Sequence, residues 1–487
     1  MLSEKDPPRL PEHGIPAAEL IEQLRQMQRR DVAWREGRVW SLVYYAGEDH
    51  QRLLQDAYAQ YFSSNFLNPL AFESVLTMEK DVVRMTVLLL HGDTNVVGTM
   101  SSGGTESILL AMYTYREWAR QHRRQAKNPE VIVPQTVHPA FDKAAHLFGL
   151  RLCKVPVDAS RRAIPADIER RINHNTILIV ASAPGYANGI LDPIPRLGLL
   201  AEKYKLPFHV DACIGGFMLP WVERMGATIE PWDFRVPGVT SVSTDVHKFG
   251  YSAKGASVIL YRSMDYLKYQ FFVTTDFPGG IYITPTILGS RPASAIAAAW
   301  AAMKHMGESG YLRLAQQLMD GTRRLRETLQ SIPEVRIIGD PCMNIISFNT
   351  RNNNPDIFAV ASQLEDKGWL VDRQQLPDSI HLTILPTNLD VLEHYIMDLR
   401  EAIQFVREHP ESVGEGSAPL YGLMARIPLR GMIERNVRKL FEEMYGAENP
   451  GQRESSNLTA GRHVPAVFTS SPRWMRLLNK LLSFWKR

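Results

Sequence analysis

Short apolar segments alternate with amphipathic, helix-like segments between residue 94 and about residue 305. The apolar segments are rich in β-branched side chains, a composition typical of buried strands. They cover residues 130–133, 151–155, 176–182, 206–211, 239–243 and 256–261. This alternation predicts an α/β fold in which helices cover both faces of a mainly parallel central sheet.

The flanking regions carry patterns of their own. A helical period of apolar residues predicts helices over 17–30, 79–90 and 311–329, and we expect the apolar face of the first helix to pack against the fold. Strands are predicted near 335–338, 345–348 and 379–384. We therefore predict an N-terminal helical segment (1–93), a central α/β domain (94–309), a smaller α+β C-terminal domain (310–446), a flexible linker (447–471) and a terminal helix (472–487).

The terminal segment 472–487 has a basic, amphipathic character. Its apolar residues fall at helical spacing and are Trp474, Leu477, Leu478, Leu481, Leu482 and Trp485, while Arg and Lys take the other faces. Such a helix suits peripheral contact with an anionic membrane surface. Docking of the same apolar stripe on the folded body of the protein or on a second subunit explains the pattern equally well.

Composition indicates an ordinary globular protein. The chain has 487 residues, 45% hydrophobic and 22% charged, with a net charge of +3, which offers no broad basic field for nucleic acid. Its three cysteines, Cys153, Cys213 and Cys342, are scattered, which favours a reducing compartment. Residues 1–20 show no signal-peptide core, and no apolar run is long enough to span a bilayer, so we expect a cytoplasmic protein.

Candidate chemistry lies in the connections that follow the predicted strands. Lys248 and Lys254 lie between the strands 239–243 and 256–261, and a lysine held in this way can form a Schiff base with an aldehyde. Asp211 ends an apolar strand and needs a cationic or hydrogen-bonding partner there. An aspartate that pairs with a pyridinium nitrogen, followed by a Schiff-base lysine, is the arrangement of pyridoxal phosphate enzymes.

A third stretch predicts a phosphate site. Gly103, Gly104 and Thr105 follow a predicted strand and open a helical run. Glycines let the backbone approach an anion closely, and the free amides of the first helical turn point towards it.

These stretches resemble the group II decarboxylase branch of fold-type I pyridoxal phosphate enzymes, and within that branch the sphingosine-1-phosphate lyases. The similarity runs from about Gly37 to Gly446 and includes residues 233–241, 269–273, 279–282 and 289–292. General decarboxylases share the Asp-Ala and His-Lys elements but not the run 269–292. The resemblance implies a fold-type I architecture, pyridoxal 5′-phosphate as cofactor and a soluble, bacterial-like form without the N-terminal anchor of eukaryotic members.

The resemblance also implies roles for individual residues. For the cofactor, His138 is expected to stack on the ring, Asp211 to face its nitrogen, Lys248 to bind it covalently, and Gly103, Gly104, Thr105 and His247 to hold its phosphate. For the substrate phosphate, the expected residues are Tyr44 (with Tyr45 as the alternative), Asn68, Lys254 and Arg291. Asn68 stands where the family has a histidine; it keeps a hydrogen-bond donor but carries no charge.

The activity implied by the resemblance is cleavage of a phosphorylated sphingoid base between C2 and C3, which gives a long-chain aldehyde and phosphoethanolamine. Family members of this kind are homodimers with the active site between subunits. Two alternatives remain at this point: an amino-acid decarboxylase on the same scaffold, and a non-catalytic, membrane-associated protein that binds pyridoxal phosphate.

Overall fold

The computed structural model describes residues 10–410 and 430–446. The predicted linker and terminal helix, residues 447–487, lie outside the described residues. The helices are α1 Ala17–Gln28, α2 Glu48–Gln60, α3 Glu73–Leu89, α4 Gly104–His122, α5 Ala140–Phe148, α6 Pro165–Arg171, α7 Ile194–Tyr204, α8 Leu219–Arg224, α9 Met264–Leu267, α10 Ala293–Ser331, α11 Ile357–Asp366, α12 Pro386–Leu389, α13 Leu392–Glu408 and α14 Arg430–Tyr445. The strands are β1 Val97–Ser101, β2 Glu130–Pro134, β3 Arg151–Val155, β4 Thr176–Ser182, β5 Phe208–Asp211, β6 Ser241–Thr244, β7 Ser257–Tyr261, β8 Phe272–Thr274, β9 Tyr282–Thr284, β10 Val335–Ile337, β11 Ile345–Thr350, β12 Asp372–Gln375 and β13 Asp378–Thr383.

The main sheet has seven strands in the order β1-β7-β6-β5-β4-β2-β3. The pairs from β6 to β3 are parallel, and β7 runs antiparallel to both of its neighbours. Parallel strands need a long crossover, whereas β6 and β7 are joined by a short connection without a helix, and such a connection can only return antiparallel. The predicted α/β fold with a mainly parallel sheet is confirmed, and the short return is the segment that carries both lysines.

The core lies where α4 and α5 cover the sheet. Every residue of β4 is buried, which explains its uninterrupted apolar sequence. Tyr115 of α4 and Phe141 of α5 are fully buried in a cluster with side chains of β2, β4 and β7. This packing fixes the start of α4, and with it the glycine turn after β1, against the end of the sheet.

Smaller elements complete the fold. A four-stranded sheet has the order β10-β11-β13-β12, and β8 and β9 form an antiparallel hairpin. The described residues form two compact units. One contains Trp40–Phe348 and His381–Leu392; the other contains Asn349–Ile380 with the described parts of Met1–Val39 and Glu393–Arg487. In the two described ranges, no helix combines the length and apolarity that crossing a bilayer requires.

Two helices differ from the sequence-based expectation. The helix predicted over 311–329 is the second part of α10, which begins at Ala293, has 39 residues and leaves helical geometry only at Gly307. Its first part is buried on nearly all sides, so it shows no polar face from which a helical period could be read. The predicted packing of α1 is wrong for the single chain, because α1 contains no buried residue and Leu24 and Met27 are 61% and 62% exposed.

Candidate active site

Two neighbouring parallel strands carry the predicted aspartate and lysine to one edge of the main sheet. Asp211 is the last residue of β5, and Lys248 lies in the return after β6. A main-chain hydrogen bond joins the two strand ends, where the amide of Asp245 donates to the carbonyl of Cys213 at 3.2 Å. The Asp211 carboxylate is buried and accepts the Cys213 amide at 3.0 Å. Ligand sites of α/β sheets lie at this edge.

The glycine turn after β1 lies directly against the lysine-bearing return. A Cβ atom added at Gly104 would lie 2.7 Å and 2.9 Å from the carboxylate oxygens of Asp245, and one added at Gly103 would lie 3.2 Å from Cε1 of His247. At Gly104 a side chain would require Asp245 to move, so glycine suits this close approach. The first amides of α4 are therefore brought to the same edge as Lys248.

A buried carboxylate holds the turn in place. Glu106, in the first turn of α4, accepts the amide of Ser102 at 2.6 Å through Oε2 and the amide of Ile287 at 3.0 Å through Oε1. The first contact closes the turn on itself in the manner of a capping box, and the second ties it to the segment before α10. We did not predict this role of Glu106 from the sequence.

Lys248 is ion-paired with an aspartate that sequence reasoning missed. Its Nζ lies 2.9 Å from Oδ2 of Asp245, whose side chain is 1% exposed. Burial by itself lowers the pKa of the Lys248 amine, but the Asp245 carboxylate more than reverses this, so the net pKa is raised. Burial likewise raises the pKa of Asp245, while Lys248 and then His247 outweigh it, so this pKa is lowered. The available signal was an acidic residue directly after β6, three positions before the lysine.

His247 is a neutral imidazole at physiological pH. Burial lowers its pKa to about 4, although the nearby Asp245 opposes the shift and the two lysines add to it. Its Nδ1 accepts the amide of Ala256 at 3.2 Å, which assigns the ring hydrogen to Nε2. The Nε2–H of His247 lies 3.7 Å from Oδ2 of Asp245 and can donate a hydrogen bond, but the ring supplies no positive charge.

Lys254 and Tyr44 form the second half of the site. The Lys254 ammonium donates to the carbonyls of Leu42 (2.9 Å) and His247 (3.3 Å), and it lies 4.9 Å from the centre of the Tyr44 ring. Partial burial, then the charge of Lys248, lower the pKa of the Lys254 amine to about 8. Tyr44 also packs edge-on against Phe249 at 5.0 Å.

The two tyrosine candidates for substrate phosphate binding have different contacts. Tyr44 is the one in contact with Lys254, whereas the hydroxyl of Tyr45 donates to Glu48 at 2.9 Å.

The two remaining phosphate candidates, Arg291 and Asn68, have other contacts. Arg291 is 8% exposed, and its guanidinium forms a bidentate pair with Glu79 at 2.7 Å and 3.2 Å. The same guanidinium stacks 4.5 Å from the ring centre of Phe66. Asn68 is exposed and accepts the amide of Leu70 at 3.0 Å. The contacts of Arg291 thus point to a structural ion pair, and its predicted role in phosphate binding stays a prediction.

His138 stands at the entrance to α5, four residues after the end of β2. Its Nδ1 accepts the amide of Ala140 at 3.2 Å, which fixes the ring at this helix start. The ring is partly exposed. Its location after a strand of the main sheet is compatible with the predicted stacking on a cofactor ring.

Comparison with known proteins agrees with this arrangement. The pyridoxal-dependent decarboxylase conserved domain matches residues 1–351, which include the glycine turn, Asp211 and Lys248. Fold and site together define a pyridoxal phosphate-dependent enzyme of the lyase type.

Sequence identity to individual relatives assigns the chain to a family within this class of enzymes. The chain is 41% identical to a sphingosine-1-phosphate lyase of Arabidopsis thaliana over 444 residues, 90% of this chain and 81% of the relative. It is 39% identical to sphingosine-1-phosphate lyase 1 of Rattus norvegicus over 451 residues, 92% of this chain and 79% of the relative. A solved sphingosine-1-phosphate lyase of Burkholderia pseudomallei matches with a TM-score of 0.79 at 36% identity, covering 83% of this chain and 94% of that one. The chain belongs to the sphingosine-1-phosphate lyase family.

Proposed function

We propose that this protein cleaves phosphorylated sphingoid bases between C2 and C3, giving a long-chain aldehyde and phosphoethanolamine. The observation that carries the proposal is the second amine, Lys254, held beside Tyr44 in the same short return as Lys248. An amino-acid decarboxylase needs a group that binds a substrate carboxylate, whereas a lipid phosphate needs a cation next to the cofactor lysine. The names of the relatives support the same substrate class.

The residues present fit pyridoxal 5′-phosphate. Gly103 and Gly104 let the start of α4 approach His247 and Asp245 closely, so the first amides of α4 lie beside Lys248 and can hold the cofactor phosphate. Thr105 and the Nε2–H of His247 would add hydrogen bonds to the cofactor phosphate. When bound, the cofactor supplies an aldehyde that reacts with amines and a ring that accepts electrons from a breaking bond.

The chain's own groups then have separate tasks. Lys248 supplies the amine that holds the cofactor, Asp211 places a buried carboxylate for the ring nitrogen, and His138 covers one face of the ring. Lys254 and Tyr44 bind the head-group phosphate of the substrate. Because a substrate fixed at its phosphate is also fixed in orientation, this contact determines which bond at C2 is broken.

Assembly and location are further parts of the proposal. A homodimer with the active site between subunits would cover apolar side chains that the single chain exposes, among them Phe277 (55%) and Ile281 (77%) in the hairpin connection. Cytoplasmic location, and peripheral membrane contact through residues 472–487, stay predictions.

One incubation tests the proposal against its alternatives. Purified protein loaded with pyridoxal phosphate is given a phosphorylated sphingoid base, and long-chain aldehyde and phosphoethanolamine are measured by mass spectrometry. We expect both products in equal amounts. Carbon dioxide released from an amino acid, with no aldehyde from the lipid, would instead identify a decarboxylase. Cofactor absorbance without any product would identify a binding protein.

A further inference from the structure

Asp245 is a buried carboxylate at the centre of the site. It follows β6 directly, is 2% exposed, and contacts Lys248 Nζ at 2.9 Å through Oδ2. Its other oxygen accepts a hydrogen bond from Ser257 at 2.6 Å. A buried carboxylate is costly unless a cation and hydrogen-bond donors compensate it, and Asp245 has both.

A chain of buried hydroxyls lies between this carboxylate and the glycine turn. Ser257 Oγ lies 2.9 Å from Ser107 Oγ, which lies 2.7 Å from Ser101 Oγ, and Ser101 reaches the carbonyl of Gly103 at 3.2 Å. Ser107 and Ser257 are completely buried, and Ser101 is nearly so. Each hydroxyl has one hydrogen. Ser257 donates its own to Asp245 and Ser101 donates its own to the Gly103 carbonyl, so the single hydrogen of Ser107 joins one of its two neighbours at a time.

Several other titratable groups of the described residues surround the pair of Asp245 and Lys248. His247 is neutral because its pKa is lowered to about 4, and burial raises the pKa of the Cys213 thiol, which keeps it protonated. The phenol of Tyr44 faces Lys248. Lys254 adds a positive charge, which disfavours a second ammonium at Lys248. The buried Asp211 carboxylate faces Cys213 on the β5 side.

We propose that Asp245 is the positioning residue of Lys248: it holds the amine, whenever the amine is not joined to the cofactor, as an ammonium ion beside the glycine turn. The hydrogen bond from Ser257 fixes the carboxylate for this purpose, and the contacts of Ser107 with Ser257 and Ser101 place it close to the strand end that precedes the glycine turn. The inference rests on the proposed function only in that Lys248 is the amine that holds the cofactor.

Chemical labelling of amines reports the charge of Lys248 and requires no enzymatic turnover. The full-length protein is freed of cofactor and treated with a small amount of acetic anhydride at a series of pH values, and acetylation of the peptide that contains Lys248 is quantified by mass spectrometry. Only the neutral amine reacts. In Asp245→Asn, labelling at about pH 8 should rise tenfold or more, since loss of a contacting opposite charge moves an amine pKa by roughly one to three units.

Three further variants separate charge from shape. Asp245→Glu keeps the charge and should label slowly, as the wild type does. Ser257→Ala keeps the carboxylate but removes one of its donors, so labelling should rise by less than in Asp245→Asn. Asp142→Asn removes the partner of the exposed Lys154, 2.7 Å away, and should leave Lys248 unchanged.

The labelling results test the role of Asp245 separately from the proposed function. Unchanged Lys248 labelling in Asp245→Asn, or equal labelling in Asp245→Glu and Asp245→Asn, overturns the inference. If Asp245→Asn does not fold, the comparison of Ser257→Ala with the wild type decides. Separately, pyridoxal phosphate is added back and fixed with borohydride. Attachment at a residue other than Lys248 in the wild type would overturn the proposed cofactor site, whereas the labelling profile would still report on Asp245.

Discussion

The charge of Lys254 should set the pH dependence of substrate binding. Its pKa is lowered to about 8, so the amine is charged below that pH and neutral above it. The charged fraction is about nine-tenths at pH 7, about half at pH 8 and about one-tenth at pH 9. A substrate phosphate is already a dianion above pH 7, since its second pKa is about 6. The KM of the wild-type enzyme for the phosphorylated substrate should therefore rise as pH increases through 8.

The size of the effect follows from the contacts of the ammonium. It has three donors, and the carbonyls of Leu42 and His247 accept two of them, which leaves one for a phosphate oxygen. A hydrogen bond to a charged group contributes about 1.5–3 kcal/mol. Lys254→Gln should accordingly raise KM about 10- to 100-fold at pH 7, since each 1.4 kcal/mol is a factor of ten.

The predicted changes in KM are measured by steady-state kinetics between pH 7 and 9.5, with aldehyde release as the signal. Lys254→Arg stays charged over the whole range, so its KM should be flat where that of the wild type rises. Lys268→Gln is the matched control, because Lys268 is an exposed lysine that pairs only loosely with Asp265 at 3.5 Å. An unchanged KM in Lys254→Gln, or a rise above pH 8 in Lys254→Arg like that of the wild type, would refute the reasoning.

Three further substitutions test the surrounding structure. Asp211→Asn should retain bound cofactor, seen by absorbance, but lose turnover on the order of 10²-fold or more, because the ring nitrogen loses its ionised partner; wild-type turnover would contradict this. Glu79→Gln should lower the free energy of unfolding by about 3–5 kcal/mol in urea denaturation, because it leaves the buried Arg291 charge without its partner; a loss below 1 kcal/mol would show that water reaches the pair. Tyr311→Phe removes the 2.9 Å hydrogen bond to the carbonyl of Gly250 and should cost about 1–3 kcal/mol in the same assay; no loss would mean that another donor replaces the hydroxyl.

Local patterns predicted the parts of the fold and site that local physics determines. Two apolar segments of the sequence predict β5 and β6. Asp211 at the end of β5 and Lys248 after β6 could therefore be placed from the sequence. The glycine turn is legible for the same reason, since Gly103 and Gly104 stand between a strand and a helix. These elements can be predicted without knowing which distant residues they contact.

The features that could not be predicted from the sequence depend mostly on contacts between residues far apart in the chain. Arg291 pairs with Glu79, 212 positions away, and no local pattern indicates that this arginine faces a carboxylate. The hydroxyl chain behind Asp245 combines residues of β1, α4 and β7, which become neighbours only when β7 returns antiparallel beside β1. The first part of α10 was missed for the opposite reason: a helix buried on most sides has no amphipathic period to detect.

The electrostatics of the return between β6 and β7 support different roles for its two lysines in the proposed reaction. The proposed reaction brings two phosphate groups to this edge, one from the cofactor and one from the substrate. His247 is neutral at physiological pH, and the charge of Lys248 is balanced by Asp245. Among the groups of this return, Lys254 therefore carries the positive charge that remains for an incoming phosphate, while the amides of α4 serve the other one. In the proposed reaction the substrate phosphate and Lys254 would meet near Lys248, so the charge that binds the head group would also bring C2 of the substrate to the lysine proposed to hold the cofactor.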